Sequence, residues 1–161
     1  MKYRKFLFLI LYIFPYYSLD ILYAQNYNKI ESQIDIDLQE ANDLFSKRDY
    51  QNAYTLYLEA ANNSKKNNYS KGKSEGYIGA ARSLFSSREL GKSTRLLLAA
   101  KKEEYSRSNP KIMSDIYFYL GLNLHNLQMV QPAIENYNNS IEYANKISNN
   151  QVRITSINRN L

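Results

Sequence analysis

The chain has 161 residues, 44% of them hydrophobic and 22% charged, so it is long enough for one soluble domain with a sizeable core. Its 5 Gly and 3 Pro favour helices over a turn-rich sheet, and the lack of Cys excludes disulfides, thiolate metal sites and a lipid-modified N-terminal Cys. The formal net charge is +6 for the whole chain and +4 without residues 1–24, where 18 basic residues face 14 acidic ones, which is too small to indicate nucleic-acid binding.

The N-terminal residues have the pattern of a secretory leader. Three basic residues among the first five precede an apolar run over residues 6–14, and Ala24 precedes Gln25. This order predicts a signal peptide over residues 1–24, cleaved after Ala24, and export to the periplasm or cell envelope. The apolar run is short of the roughly 20 residues that cross a bilayer. Leu22 is the third residue before the predicted cleavage point, where signal peptides prefer a small residue. Because leucine is larger, an uncleaved N-terminal anchor is the alternative.

The rest of the chain repeats at a step of 40 residues, and five positions keep their residue size in three copies. They are Ala41, Ala81 and Gly121; Leu44, Leu84 and Leu124; Ala53, Ser93 and Ala133; Tyr57, Leu97 and Tyr137; and Ala60, Ala100 and Ser140. Within each copy the apolar residues follow the spacing of two amphipathic helices. The pattern predicts an all-α chain of helical hairpins, with repeats at about 34–68, 74–108 and 114–148.

Polar breaks separate the predicted helices. Those at 46–49, 86–89 and 126–129 have the length of tight turns within a hairpin. Those at 62–70, 106–110 and 148–150 are predicted to link one hairpin to the next, with continued helix around Asn62 as the alternative for the start of the first link. Residues 72–79 carry three glycines whose spacing fits no nucleotide-binding loop, so we expect a flexible link that enters a helix.

Residues 152–161 begin a fourth copy of the first helix. Val152, Ile154, Ile157 and Leu161 lie on its apolar face, and no following helix covers them in this sequence. Because helical-repeat arrays normally close with a polar-faced helix, we expect this segment to pack on a partner or on further repeats. The expectation is that the chain is the N-terminal part of a longer protein.

The arrangement resembles the tetratricopeptide repeat (TPR) family. The best match is residues 49–53 followed by Tyr57 and Ala60, and the second and third copies match at Tyr77, Ala81, Leu84 and Leu97 and at Tyr117, Gly121, Leu124 and Tyr137. The family's usual unit has 34 residues, so units of 40 look like the longer repeats of bacterial regulatory and sensor proteins. The resemblance implies a right-handed α-α superhelix, a TPR-like solenoid, over residues 25–161.

In that family the first helix of each repeat lines a concave groove, and the resemblance places eleven residues there. They are Leu38, Asn42, Phe45, Glu75, Ile78, Arg82, Phe85, Asp115, Phe118, Leu122 and His125. Such a groove takes a peptide by its apolar side chains, and an acidic column of Asp35, Glu75 and Asp115 favours a basic partner. The alternatives are that neighbouring helices cover the apolar residues and that the acids only stabilise helix starts.

No catalytic site is predicted. His125 is the only histidine, which excludes a His-rich metal site, and we expect no metal and no cofactor. Some members of the resembled family hold a peptide's C-terminal carboxylate with basic residues on successive repeats. Here Leu38 and Ile78 stand where such a site needs polar residues, which argues against that activity.

The sequence therefore predicts a non-catalytic module that binds a protein or peptide at the cell envelope. The resemblance implies the sensory or scaffolding part of a larger bacterial regulatory protein, with a histidine kinase or helix-turn-helix output. One alternative is a self-contained periplasmic assembly or chaperone-like adaptor, and another is an intracellular regulator that keeps its leader. Membrane contact is expected only through the leader or through a further span after the repeats.

Overall fold

A computed structural model describes residues 26–160, and within that range all regular structure is α-helical. The helices are α1 (26–46), α2 (Tyr50–Lys66), α3 (Ser70–Ser86), α4 (Leu90–Lys101), α5 (Glu104–Ser108), α6 (Pro110–Asn126), α7 (Val130–Ala144) and α8 (Gln151–Asn158). The predicted all-α class is confirmed for this part of the chain. The predicted leader at 1–24 and Leu161 lie outside the described residues.

Three turns of the same geometry close the hairpins α1–α2, α3–α4 and α6–α7. Arg48, Arg88 and Gln128 have φ of 64°, 65° and 60°. At the middle turn the Arg88 N–H donates to the Phe85 carbonyl at 3.0 Å and the Glu89 N–H donates to the Leu84 carbonyl at 2.8 Å. This is the Schellman pattern, which satisfies the last carbonyls of a helix. The tight turns predicted at 46–49, 86–89 and 126–129 are confirmed.

The links between hairpins differ from the prediction. Helix α2 continues to Lys66, so the first link is residues 67–69 rather than 62–70. The second link contains the short helix α5, and α6 then begins at Pro110. The Asn109 side chain accepts hydrogen bonds from the Lys111 and Ile112 N–H groups, and Pro at the first helical position lacks the N–H that would have no partner there.

Each helix packs against its neighbours along the chain, and three apolar clusters follow one another. The first joins α1, α2 and α3, the second α3, α4 and α6, and the third α6, α7 and α8. Ala41, Ala53, Ala81 and Ser93 are fully buried, as the prediction of close helix approach requires. Helix α3 contacts both α2 and α4, and α6 contacts both α4 and α7, so hairpin follows hairpin without a break in packing.

The glycines of residues 72–79 lie inside helix α3, so the predicted flexible link is wrong. Gly72, Gly76 and Gly79 are buried on the side of α3 that faces α2. A Cβ added to Gly76 would lie 2.7 Å from the Tyr57 carbonyl oxygen and 2.8 Å from the Ala61 Cβ. These glycines are kept small by the approach of α2, and the packing outweighs their low helix propensity.

The last described helix is partly covered, which corrects the expectation that its apolar face lacks a partner. Ile157 is buried in the third cluster and Ile154 packs against it, because α8 contacts α7. Val152 remains 84% exposed. None of the helices between residues 26 and 160 is both long enough and apolar enough to cross a membrane.

Candidate functional site

Helices α1, α3 and α6 surround a cavity of about 300 Å³, which we call the central cavity. Six of the eleven predicted groove residues line it, and four further residues, one of them a glycine, complete the wall. The predicted residues are Leu38, Asn42, Glu75, Ile78, Arg82 and Asp115, and the others are Tyr57, Gly79, Lys111 and Ile112. Leu38 and Ile78 are buried and provide apolar wall, whereas the remaining predicted residues bring amide, carboxylate and guanidinium groups.

A second cavity of about 400 Å³ lies between α6 and α8, and we call it the C-terminal cavity. Asp115 lines both cavities, and the predicted residue Phe118 lines this one together with Val152 and Ile157. The side chains of Asp115 and Arg153 form an ion pair at the boundary between the two cavities. The C-terminal cavity thus extends the lined surface from α6 to the last helix.

The other predicted residues do not line the central cavity. Phe45 lies against Arg82, and Phe85 meets the ring of Tyr119 edge-on at 6.3 Å between centroids. Leu122 packs with the third apolar cluster. His125 is exposed, with its ring centroid 6.5 Å from that of Tyr137. Phe45, Phe85 and His125 therefore have different surroundings: Phe45 contacts Arg82, Phe85 contacts Tyr119, and His125 is exposed.

Asn42 is held in place by two hydrogen bonds. Its side-chain Nδ2 donates to the Leu38 carbonyl at 2.9 Å, and its Oδ1 accepts from the Tyr57 hydroxyl at 2.7 Å. Burial raises the pKa of Tyr57, which keeps the hydroxyl protonated as a donor. Asn42 thereby orients the tyrosine that forms part of the cavity wall.

Arg82 lies between two aromatic rings. Its guanidinium carbon is 4.5 Å from the Phe45 ring centroid and 5.8 Å from that of Tyr119, so both rings contribute cation–π attraction. Between residues 26 and 160, Arg82 takes part in no ion pair, and its buried Nε has no hydrogen-bond partner. A buried donor without a partner is rare in folded proteins.

The acidic column has cationic neighbours. Asp35 accepts hydrogen bonds from the Tyr69 hydroxyl at 2.9 Å and from the Lys71 Nζ at 2.8 Å, and Asp115 pairs with Arg153. In both pairs the cation comes from the first helix of the next hairpin. Asp35 and Asp115 are therefore each paired with a cation inside the chain.

Glu75 is the acid of the column without a direct ion pair. Burial raises its pKa above the ordinary range, while the charges of Lys71 and Lys111 act in the opposite direction. Lys111 follows Glu75 by 36 residues, the same separation as between Lys71 and Asp35. The sequence analysis did not identify these two lysines as partners of the acids. A search for basic residues 36 positions after each acid, which is one 40-residue repeat less about one helical turn, would have found both.

The hydroxyl of Tyr69 illustrates the same compensation. Burial raises its pKa to about 12, and the hydrogen bond to Asp35 acts in the same direction. The protonated tyrosine and Lys71 together occupy the carboxylate of Asp35.

No protein-family model matches the chain, and no curated protein or solved structure shows a significant similarity to it. Among residues 26–160, no group of three or more His, Asp or Glu side chains is arranged to hold a metal ion. The site is therefore interpreted from its own geometry. It combines apolar walls, a fixed amide and a guanidinium whose Nε has no hydrogen-bond partner among residues 26–160, features that suit the recognition of a ligand with apolar and polar groups.

Proposed function

We propose that this protein is a non-catalytic peptide- or protein-binding module of the TPR-like kind, with the central cavity as part of its binding groove. The observation that carries the proposal is that α1, α3 and α6, the equivalent helices of three successive hairpins, together line one cavity. In a right-handed solenoid these first helices form the concave surface. Leu38 and Ile78 supply apolar contact there, and Arg82 supplies hydrogen-bond donors.

The repeated packing supports the solenoid part of this proposal. Hairpins of one geometry follow each other through α2–α3, α4–α6 and α7–α8 contacts. Quasi-one-dimensional packing of this kind produces extended binding surfaces rather than deep catalytic clefts. We further propose that the module works in the periplasm or cell envelope after removal of residues 1–24, on the strength of the leader-like sequence.

Selection of peptides against the full chain tests the binding function. A displayed library of random peptides is enriched on the purified protein, and the selected peptides are then measured against two variants. Asn42→Trp places a large ring at the central cavity, whereas Asn63→Trp adds the same ring to an exposed position on α2. We expect Asn42→Trp to weaken binding by about tenfold or more, and Asn63→Trp to leave it unchanged.

Two results would count against the proposal. Selected peptides that bind Asn42→Trp as tightly as the unmodified protein would place the site elsewhere, and a selection without enriched peptides would remove peptide binding as the function. Circular dichroism of both variants shows whether each is folded. Export is checked separately by the mass of the intact protein recovered from a bacterial envelope fraction, where a polypeptide beginning at Gln25 is expected.

A second candidate function, an assembly adaptor, is favoured by one exposed apolar edge. Leu127, Met129 and Val130 at the α6–α7 turn are 49%, 48% and 61% exposed. The first two turns have polar or charged residues at the positions equivalent to Leu127 and Met129. The change Met129→Asp introduces the acidic residue found at Asp49 and should abolish docking through this edge without loss of peptide binding.

A further inference from the structure

The links between hairpins lie at one edge of the molecule, which we call the link edge. It comprises residues 67–69, 102–109 and 145–150, together with the first six residues of α1, α3, α6 and α8 and the last six of α2, α4 and α7. The first hairpin link and the second meet where Lys73 pairs with Glu103 at 2.9 Å. Helix α1 begins at the same edge, because the Tyr27 hydroxyl donates to the Asn67 carbonyl at 2.8 Å. The chain that precedes residue 26 therefore joins the fold at the link edge.

The link edge carries the excess positive charge of the described chain. It holds 11 of the 18 basic residues between 26 and 160 but only 6 of the 14 acidic ones, so its formal charge is +5 and that of the remainder is −1. Six of these cations are exposed and take part in no ion pair within the described residues, namely Lys29, Lys65, Lys66, Lys102, Arg107 and Lys111. A small overall excess is thus gathered on one side of the molecule.

Helix stability accounts for only part of this charge. Lys65 and Lys66 lie in the last turn of α2, where the helix macrodipole favours cations, but a helix start favours acids instead. Helices α3, α6 and α8 have no acid in their first turns, and Lys71, Lys111 and Arg153 lie within their first three residues. Lys71 and Arg153 pair with acids of the preceding hairpin, whereas Lys111 has no ion pair among residues 26–160. The edge therefore carries more positive charge than helix ends and ion pairs use.

The attachment point of the leader-like sequence indicates which partner this edge faces. A leader that enters or crosses a bilayer brings the edge to which it is attached next to lipid headgroups. Cleavage after Ala24 would instead leave an α-amino group, a further positive charge, one residue before α1. Tyr27, which is 42% exposed, adds a ring with a polar tip, a type of side chain enriched at membrane interfaces. Charge and position together favour an anionic lipid surface.

We propose that the link edge rests on an anionic phospholipid surface, with its exposed lysines and arginine contacting lipid phosphate groups. Each Lys or Arg close to such a surface strengthens binding, and the attraction falls off within a Debye length. This contact goes beyond the peptide-binding function, and it adds to the membrane contact expected from the leader. The choice of lipid as partner rests on the proposed envelope location, whereas the charge of the edge does not.

The test measures co-sedimentation of the purified full chain with two kinds of vesicle. One contains only phosphatidylcholine, and the other has about a quarter of its lipid replaced by anionic phosphatidylglycerol. Two triple variants with the same change of net charge are compared. One combines Lys65→Glu, Lys66→Glu and Lys102→Glu on the link edge, and the control combines Lys47→Glu, Arg88→Glu and Arg95→Glu at exposed positions elsewhere. Residues 1–25 are common to all the proteins, so any binding by the leader does not affect the comparison.

We expect the unmodified chain to bind the anionic vesicles about tenfold or more tightly than the neutral ones in low salt, and to lose this preference in high salt. The link-edge variant should lower the preference by about tenfold or more, and the control variant by less than about threefold. Circular dichroism shows whether each variant is folded. Where charge reversal prevents folding, the milder double variant with Lys66→Gln and Lys102→Gln should still lower the preference by about threefold.

Three results would overturn the lipid contact. Equal binding of the unmodified chain to both kinds of vesicle would show that anionic lipid is not recognised. Equal losses in the two triple variants would show that net charge, rather than the link edge, decides the preference. Tighter binding to soluble polyglutamate than to anionic vesicles would replace lipid by an acidic protein as the partner. Each of these results leaves the peptide-binding proposal in place, because that proposal is tested by substitution at the central cavity.

Discussion

The first and third hairpins have the same backbone design but treat their central tyrosine differently. Tyr57 donates its hydroxyl to Asn42 at 2.7 Å, whereas the buried hydroxyl of Tyr137 has no partner in the described part of the chain. The position equivalent to Asn42 is Leu122, which packs into the core. The tyrosine ring fills the space within a hairpin whether or not its hydroxyl has a hydrogen-bond partner. The residues at the equivalent positions Asn42, Arg82 and Leu122 therefore differ in chemical type without a change of backbone design.

The second hairpin shows the consequence of that freedom. Leu97 replaces the tyrosine, so the second hairpin supplies no hydroxyl of its own at this position, and Arg82 lies against the rings of Phe45 and Tyr119. The same position therefore holds an amide bonded to Tyr57 in the first hairpin, an apolar residue packed on the core in the third, and a guanidinium at the central cavity in the second. Functional residues are therefore expected where equivalent positions differ, and residues that stabilise the fold where they agree.

The largest effect is expected where the packing of the third hairpin leaves no space. An added Cβ at Gly121 would lie 2.6 Å from Cδ1 of Tyr137, although the first hairpin accommodates Ala41 at the same position. Gly121→Leu should lower the free energy of unfolding by about 3 kcal/mol through overpacking. Urea unfolding followed by circular dichroism measures the change.

The matched control for that substitution is Gly91→Leu. A Cβ at Gly91 meets nothing within 4 Å, and the residue lies in the exposed start of α4. Leucine has the higher helix propensity, so this variant should be unchanged or more stable by about 0.5–1 kcal/mol. Equal losses at Gly91 and Gly121 would show that the tight approach to Tyr137 does not limit the third hairpin.

The next largest effect separates the two tyrosines directly. Tyr57→Phe should lower the free energy of unfolding by about 1 kcal/mol, because it removes the hydrogen bond to Asn42. Tyr137→Phe should leave stability unchanged or raise it by about 1 kcal/mol, because it removes a buried hydroxyl without a partner. Burial raises the pKa of Tyr137 with no other contribution, as expected for a hydroxyl without charged neighbours.

Leu122→Asn provides the reciprocal control for the tyrosine pair. It places at the third hairpin the amide that the first hairpin has at Asn42. In that background the same Tyr137→Phe change should become unfavourable, with a coupling energy of about 1 kcal/mol in a double-mutant cycle. Absence of coupling would mean that the two hairpins differ in more than this one side chain.

A smaller effect is expected at the turns, where the hairpins agree. Arg88 has a positive φ of 65°, which glycine adopts without steric cost. Arg88→Gly should raise the free energy of unfolding by about 0.5–1 kcal/mol. Arg48→Gly and Gln128→Gly should give the same gain within error, because all three residues have the same backbone geometry. Thermal unfolding of the three variants measures the gain. A loss at any of them would show that the arginine or glutamine side chain makes a stabilising contact.

The smallest effect is a dependence on pH that distinguishes Glu75 from Asp115. Burial raises the pKa of Glu75, so its contribution to stability is fully present below the ordinary glutamate pKa and is lost as pH rises through the raised value. Glu75→Gln should therefore increase Tm at neutral pH and leave Tm nearly unchanged at about pH 3. A decrease of Tm at neutral pH would indicate that the ionised carboxylate is stabilised by Lys71 and Lys111.

Asp115→Asn is the contrasting variant, because Asp115 has a direct ion pair with Arg153. Its removal should lower the free energy of unfolding by about 0.5–1 kcal/mol at neutral pH, and the loss should be smaller in high salt. Opposite signs for the two acids would establish that the column is not electrostatically uniform. Equal signs would indicate that the cations of the next hairpin serve both acids alike.

Much of the helical layout could be predicted because it depends on local patterns. The polar breaks before Tyr50, Leu90 and Val130 predicted where hairpins turn, and the small residues predicted where helices approach. The glycines of α3 were misinterpreted, because glycine in a sequence favours flexibility unless a neighbouring helix demands the space. The identity of that neighbour, α2, is not a property of the local sequence.

The candidate site was predictable in part for the same reason. Periodicity placed Leu38, Ile78 and Arg82 on equivalent helices, and these residues do meet around one cavity. It did not reveal that Asp35 and Asp115 are each paired with a cation from the next hairpin. Those pairs join residues 36 and 38 positions apart, and only the stacking of hairpins decides which charges come within reach.

The sequence by itself determined the helical class, the 40-residue step and the small and large residues that recur with it, since these depend on local periodicity and side-chain size. Only the tertiary structure decided which polar groups remain without partners. The Asn42 side chain is hydrogen-bonded to Tyr57, and Asp115 is paired with Arg153. Arg82 lines the central cavity, and its Nε has no hydrogen-bond partner among residues 26–160. The reason is physical: a charge is compensated or available according to its neighbours in space, and packing of separate helices brings those neighbours together.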